Sequence, residues 1–239
     1  MRRSVYDMVI ILLVSIHAPF AFAGWEYQNS GITGHLWDVT FIDEMRGWAV
    51  GDTASIETRD GGKTWTRIEC PVYSLPSEMR LITGILFLTH ETGFMGTTGG
   101  RLFKTHDGGV KWKETVVYAD STCRIRKIRF VDQNCGWVIV SRTVFSPLLF
   151  KTSDGGNTWR EQFLNTMVID VRFIDTQHGW ATGGMNTPEV YETVNGGDDW
   201  KLNAAFIKYP PMHKLSILSE DKILAYGPFL AVSTDGGKT

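Results

Sequence analysis

Four carboxylates recur in one local setting: Asp60, Asp107, Asp154 and Asp235 each precede a Gly-Gly pair, and Asn195 stands at the same place in a further copy. Carboxylates are the raw material of acid-base and glycoside-cleaving chemistry, which needs two of them a few ångströms apart across one bond. Here the context repeats instead, as Thr58-Arg59-Asp60-Gly61-Gly62-Lys63-Thr64-Trp65, Thr105 to Trp112, Thr152 to Trp159 and Thr193 to Trp200. Glycine supplies the positive φ of a tight turn, and an Asp or Asn side chain accepts from the turn's own amides. The box residues Asp60, Gly62, Trp65, Asp107, Gly109, Trp112, Asp154, Gly156, Trp159, Asn195, Gly197, Trp200, Asp235 and Gly237 are therefore read as structural, with each Trp a large apolar plug between sheets.

A second group is cationic. Arg124-Ile125-Arg126-Lys127-Ile128-Arg129 places four cations in six residues. Its counterparts in neighbouring units, Asp38-Val39-Thr40, Gly84-Ile85-Leu86 and Asp170-Val171-Arg172, are less basic. On an innermost strand, Arg124, Arg126, Lys127 and Arg129 would join Arg172 and Lys214 at a channel or face and hold an acidic segment of a partner protein. The alternative is a set of solvated or internally paired cations.

Other chemistries lack their residues. The sequence holds no GxSxG, HExxH, phosphate-binding Gly loop or EF-hand loop. Cys70, Cys123 and Cys135 form no CxxC pair and share no ligand spacing with the six histidines, so no metal and no organic cofactor is expected. Three cysteines allow at most one internal bridge. A net charge of −2 gives no reason to expect nucleic acid.

The boxes belong to a larger repeat. Upstream of each lies a pair of apolar residues seven positions apart: Phe41 and Trp48, Phe87 and Phe94, Phe130 and Trp137, Phe173 and Trp180, Ile217 and Leu224. Both motifs keep one phase, giving five units with a period of 40 to 47 residues. In the first unit, residues 36–42, 47–51, 54–58 and 65–69 read as four short strands. Four strands in about 43 residues make a propeller blade. The expected fold is all-β, a β-propeller of four-stranded antiparallel blades.

At the amino end, Arg2-Arg3, the apolar run Met8 to Ile16 and Ala21-Phe22-Ala23 before Gly24 have the layout of a cleavable secretory signal, residues 1–23. The apolar run falls well short of the roughly 20 residues that span a bilayer. Residues 24–239 are then one propeller domain, monomeric, exported to the periplasm, a thylakoid lumen or the medium. The fifth box runs out at Thr239 before its Trp, while Trp25-Glu26-Tyr27-Gln28 resembles the strand after a box. Either that segment closes the ring, or the chain is part of a protein with six or seven blades. Phe206 to Met212 is a second candidate contact segment, and Ser141 to Leu149 lengthens a hairpin in unit three.

The box resembles the Asp-box, or BNR, repeat of sialidases, sortilin-type receptors and photosystem II assembly factors. The compound pattern Phe41-Ile42-Asp43 with Gly47-Trp48-Ala49-Val50-Gly51, and Phe173-Ile174-Asp175 with Gly179-Trp180-Ala181-Thr182-Gly183, is similar to the photosystem II assembly and stability-factor-like group. That resemblance implies an exported, cofactor-free chaperone that engages a membrane-protein subunit during assembly. Asn195 and Leu224 depart from the pattern. A sialidase-like reading lacks the Phe-Arg-Ile-Pro motif. Three functions follow: an assembly chaperone, a generic exported interaction propeller, and a glycan-active protein.

Overall fold

The computed structural model describes residues 28–52, 54–76, 80–142, 147–164, 166–184, 187–205, 214–219, 221–227 and 229–236. Its nineteen strands fall into five antiparallel sheets, each in simple meander order. Blade 1 holds β1 (Leu36–Phe41), β2 (Gly47–Gly51), β3 (Ser55–Thr58) and β4 (Thr66–Ile68). Blade 2 holds β5 (Ile82–Phe87), β6 (Gly93–Thr97), β7 (Arg101–Thr105) and β8 (Lys113–Val116). Blade 3 is β9 (Arg124–Phe130), β10 (Gly136–Ser141), β11 (Pro147–Thr152) and β12 (Arg160–Gln162), and blade 4 is β13 (Val168–Phe173), β14 (Gly179–Gly183), β15 (Glu189–Thr193) and β16 (Lys201–Ala205). Blade 5 has three described strands, β17 (Lys214–Ile217), β18 (Ile223–Tyr226) and β19 (Leu230–Ser233). Only a single 3-10 turn, Pro71–Ser74, interrupts the strands among the described residues. The all-β propeller is as expected from the sequence.

Register explains the paired columns. Phe41, Phe87, Phe130 and Phe173 lie directly opposite Gly47, Gly93, Gly136 and Gly179. Each ring lies flat over the glycine, so a Cβ at Gly136 would sit 2.5 Å from the Phe130 ring. The flattened ring then receives the aromatic of the preceding blade. Trp48 stacks on Phe87 with centroids 3.6 Å apart, Phe94 on Phe130 at 4.0 Å, and Trp137 on Phe173 at 3.4 Å. The second-strand aromatics Trp48, Phe94, Trp137 and Trp180 are the fully buried plugs of the seams.

The box Trp joins the seam packing expected of it, but as its less buried part. Trp65, Trp112, Trp159 and Trp200 are half-buried and meet the Phe of their own blade edge-on, at 6.1, 6.1, 6.2 and 5.8 Å. They brace the ring edge-on, and Trp112, Trp159 and Trp200 pack on clusters that span two blades, while the fully buried plug comes from the Gly-Trp column.

The turn of each box in blades 1 to 4 is held by its own side chains and amides. In blade 3, Thr152 Oγ1 accepts from Gly156 N at 2.8 Å and donates to Asp154 Oδ1, while Asp154 also accepts from the amides of Asn157 and Thr158 and from Thr158 Oγ1. Asn195 repeats the set, accepting from Asp199 N at 2.9 Å and from Thr193 Oγ1 at 3.0 Å. Gly156 has φ +85°, the left-handed region that a side chain would strain. The boxes also tie blades together: Trp137 Nε1 donates to Gly196 O, Trp180 Nε1 to Gly236 O and Lys104 Nζ to Gly155 O.

The seam between blades 5 and 1 differs from the other four. Val39 and Phe41 are 57% and 45% exposed, whereas Ile85 and Phe87 at the same positions of blade 2 are 5% and 4% exposed. Leu230 and Val232 are likewise exposed on the facing side of blade 5. The expected closing strand concerns residues 25–28, of which 25–27 lie outside the described residues, as do the signal segment, Gly237 and the whole of Phe206 to Met212. All three cysteines are buried and unpaired, and burial raises each thiol's pKa.

Two outcomes follow. Gly136→Ala should cost about 2–3 kcal/mol in urea unfolding, because the new Cβ displaces Phe130 from the Phe94 stack. Hydrogen bonds to the box carboxylates hold Asp60 and Asp154 at about 2. Because these folded-state values lie below the usual carboxylate range, their stabilisation is complete above about pH 4 and is lost as pH falls through 2, which a melting series from pH 6 to 2 will register.

Candidate functional site

The innermost strands of all five blades, β1, β5, β9, β13 and β17, surround a cavity of about 620 Å³. Aligned by their Phe or Ile ends, they place Asp38, Gly84, Lys127, Asp170 and Lys214 at one structural position, and Thr40, Leu86, Arg129, Arg172 and Ser216 two residues further on. Arg126, Lys127, Arg129, Arg172 and Lys214 all line the cavity. The basic run lies on the inner strand β9, and five of the six cations named with it line the cavity. Arg124, the first residue of β9, is exposed and lies outside the lining.

Charge is unevenly spread around the channel. The cations come from blades 3, 4 and 5. Blades 1 and 2 present Trp37, Asp38, Thr40, Thr83, Gly84 and Leu86.

One carboxylate organises the basic wall. Asp170 is fully buried, accepts from Arg129 Nη2 at 3.2 Å through Oδ1, and lies 3.8 Å from Arg172 Nε through Oδ2. The same Oδ2 accepts from Leu215 N at 3.1 Å, bridging blades 4 and 5. Asp38 does the same job at the first seam, accepting from Ile85 N at 3.0 Å. Where the position holds lysine, no such bridge forms, and Lys127 and Lys214 have no carboxylate within salt-bridge distance among the described residues.

These cations are held close in a partly dry setting. Burial pushes Lys127 and Arg129 below their usual ranges, with Asp170 opposing the shift in both. Burial and then Arg124 push Arg126 the same way, and Arg126 Nε donates to Ser141 Oγ at 2.8 Å. The Nε atoms of Arg129 and Arg172 are buried with no acceptor. A wall of like charges with donor capacity left over is built to receive an anion. Asp60, Asp107 and Asp154 are engaged in box turns, and Asp38 and Asp170 in blade seams. Among the described residues no group of three His, Cys, Asp or Glu side chains is arranged to hold a metal ion.

The sequence had shown the basic run but not what Asp38, Asp170 and Trp37 do. The column that aligns Asp38, Gly84, Lys127, Asp170 and Lys214 carries the signal for the first two, since acid and base alternate at one position. Trp37 has no counterpart in any column.

Residues 71–168 match the model of a family described as photosynthesis system II assembly factor YCF48. Photosystem II assembly lipoprotein Ycf48 of Synechococcus sp. (strain CC9902) is 32% identical over 101 residues, covering 42% of this chain and 28% of that protein. Photosystem II assembly protein Ycf48 of Thermosynechococcus vestitus is 38% identical over 63 residues, covering 23% of this chain and 18% of that protein. The chain thus spans less than a third of the curated relatives it matches. A solved structure described as YCF48 bound to D1 peptide superposes with a TM-score of 0.54 at 18% identity, covering 89% of this chain and 83% of that one. The GH74 xyloglucanase from Xanthomonas campestris gives 0.63 at 16% identity over 81% of this chain and 35% of that one. At such identities both structures show the fold alone, one that enzymes and non-enzymes share.

Removing Asp170 tests how the wall is held. Asp170→Ala strands Arg129 and the Leu215 amide and should cost about 3–5 kcal/mol in denaturant unfolding. Asp38→Ala, at an exposed position, should cost about 1 kcal/mol.

Proposed function

We propose that this chain, an Asp-box propeller similar over residues 71–168 to the Ycf48 family, acts as an exported, non-catalytic protein-binding scaffold whose central channel holds an acidic segment of a membrane-protein subunit during assembly. The observation that carries this reading is the convergence of Arg126, Lys127, Arg129, Arg172 and Lys214 on one cavity wall, where, among the described residues, only Arg129 and Arg172 have a carboxylate within salt-bridge distance. A segment bearing Asp or Glu side chains, or a chain-terminal carboxylate, matches that wall in charge and in hydrogen-bonding capacity. The curated proteins that match part of this chain, described as photosystem II assembly proteins, support a protein ligand. In a photosynthetic source the corresponding partner is a photosystem II subunit; in any other source it is an envelope protein engaged in the same way.

Export rests on the signal-like layout of residues 1–23. None of the described helical segments is long and apolar enough to cross a membrane. The catalytic alternative is disfavoured because Asp60, Asp107 and Asp154 are each committed to a turn and Asp170 to a seam.

Affinity capture from the source membranes, with crosslinking and mass spectrometry, tests the reading. The protein should retain a membrane subunit, and Lys127→Glu with Lys214→Glu should reduce its recovery at least tenfold while shifting the melting temperature by only a few degrees. Undiminished recovery with the double variant would exclude the channel as the binding site.

A further inference from the structure

The inner strands share an irregularity whose position matters for recognition. In blades 1 to 4 the pairing with the second strand shifts by one residue near the start of the inner strand: between Leu36 and Asp38, Ile82 and Gly84, Ile125 and Lys127, and Val168 and Asp170. The extra residues are Trp37, Thr83, Arg126 and Ile169. A β-bulge redirects the side chain it carries, and bulges recur beside binding sites for that reason. Trp37, Thr83 and Arg126 all line the cavity.

Trp37 is the one aromatic residue among these four. It is 54% exposed, as are its strand neighbours Val39 at 57% and Phe41 at 45%, on a strand that is uncovered along most of its length. Its one polar atom is already satisfied, since Nε1 donates to Asp52 Oδ1 at 2.5 Å. The same carboxylate holds His35, whose ring lies 5.7 Å from the indole. Asp52 therefore fixes the indole from behind and leaves an aromatic surface open without an unmet hydrogen bond. A rigid, amphipathic side chain with few rotatable bonds is the type that concentrates binding energy when a partner covers it. It stands on blade 1, whereas the cations stand on blades 3, 4 and 5, so the channel has a basic wall and an aromatic one.

We infer that Trp37 is a specificity-determining residue that selects, among acidic segments, those carrying an aromatic or large aliphatic side chain beside the carboxylates, with the carboxylates on Lys127, Arg172 and Lys214 and the apolar side chain on the indole. This inference rests on the channel being the binding site, as proposed above. Charge alone attracts any acidic chain, and it does so weakly at physiological salt. The indole supplies the part of recognition that salt does not screen, through apolar contact.

The test uses the full chain and two synthetic peptides of equal length and charge. One carries four Asp or Glu residues and a central Phe; the other has Ser in place of that Phe. Their affinities are measured by fluorescence anisotropy in about 0.15 M salt. The wild-type protein should prefer the Phe peptide about tenfold. Trp37→Ala should bring that preference close to one, and Trp37→Phe should restore most of it. Thermal melting of each variant confirms that the exposed site was changed without unfolding. A preference that survives Trp37→Ala, or no preference in the wild type while Lys127→Glu with Lys214→Glu still abolishes binding, would overturn the role of Trp37 and leave the channel reading intact. Binding of both peptides unaffected by the lysine substitutions would overturn both.

Discussion

A phenylalanine ring lying flat on a glycine is the contact on which the rest of this molecule depends. The inner strand's last residue can present its ring to the preceding blade only because the opposing strand carries no side chain there. The ring then stacks on the neighbouring blade's Trp or Phe within about 4 Å and is braced edge-on by its own box Trp. Aromatic pairs of this kind contribute beyond the area they bury, and the pair recurs at three of the seams. At the fourth, Trp180 packs beside Ile217 instead. Blades are thereby fixed in angle as well as in distance, which is what lets five separate inner strands enclose one cavity.

Within that frame a single structural position decides between holding the ring and reading a ligand. Aspartate at the position reaches across a seam to the next blade's amide, as Asp38 and Asp170 do. Lysine there has nothing to give an amide, so Lys127 and Lys214 turn their charge to the channel. Asp170 serves both ends. It closes the seam between blades 4 and 5 and holds the Arg129 guanidinium, so the most buried charge in the site couples propeller integrity to the shape of the basic wall.

Much of this was legible in the residues. Two motifs in phase established the repeat, the blade and the strand boundaries to within a residue or two, since a box turn and a Phe-Gly pair are local patterns. The basic run on β9 was visible as well, and its inner-strand placement followed from its phase. The box Trp does join the packing between sheets, but period alone does not say which of two aromatic columns is the more deeply buried. Trp37 escaped notice for a related reason: a bulge is a mismatch between two strands, and neither strand shows it by itself.

The sequence by itself determined the fold class, the number of recognised units and the structural duty of the box aspartates, because each rests on contacts between residues less than one repeat apart. Tertiary structure alone decided what meets in the channel. Lys127, Arg172 and Lys214 are about 45 residues apart in succession, and their nearness depends on the angle between blades, which the seam packing sets. It also decided which cations remain available, since Arg129 is partnered from the next blade and Arg124 falls outside the wall. Distance along the chain carries no record of that angle, so the basic wall and Trp37 came to line one cavity only when the blades packed.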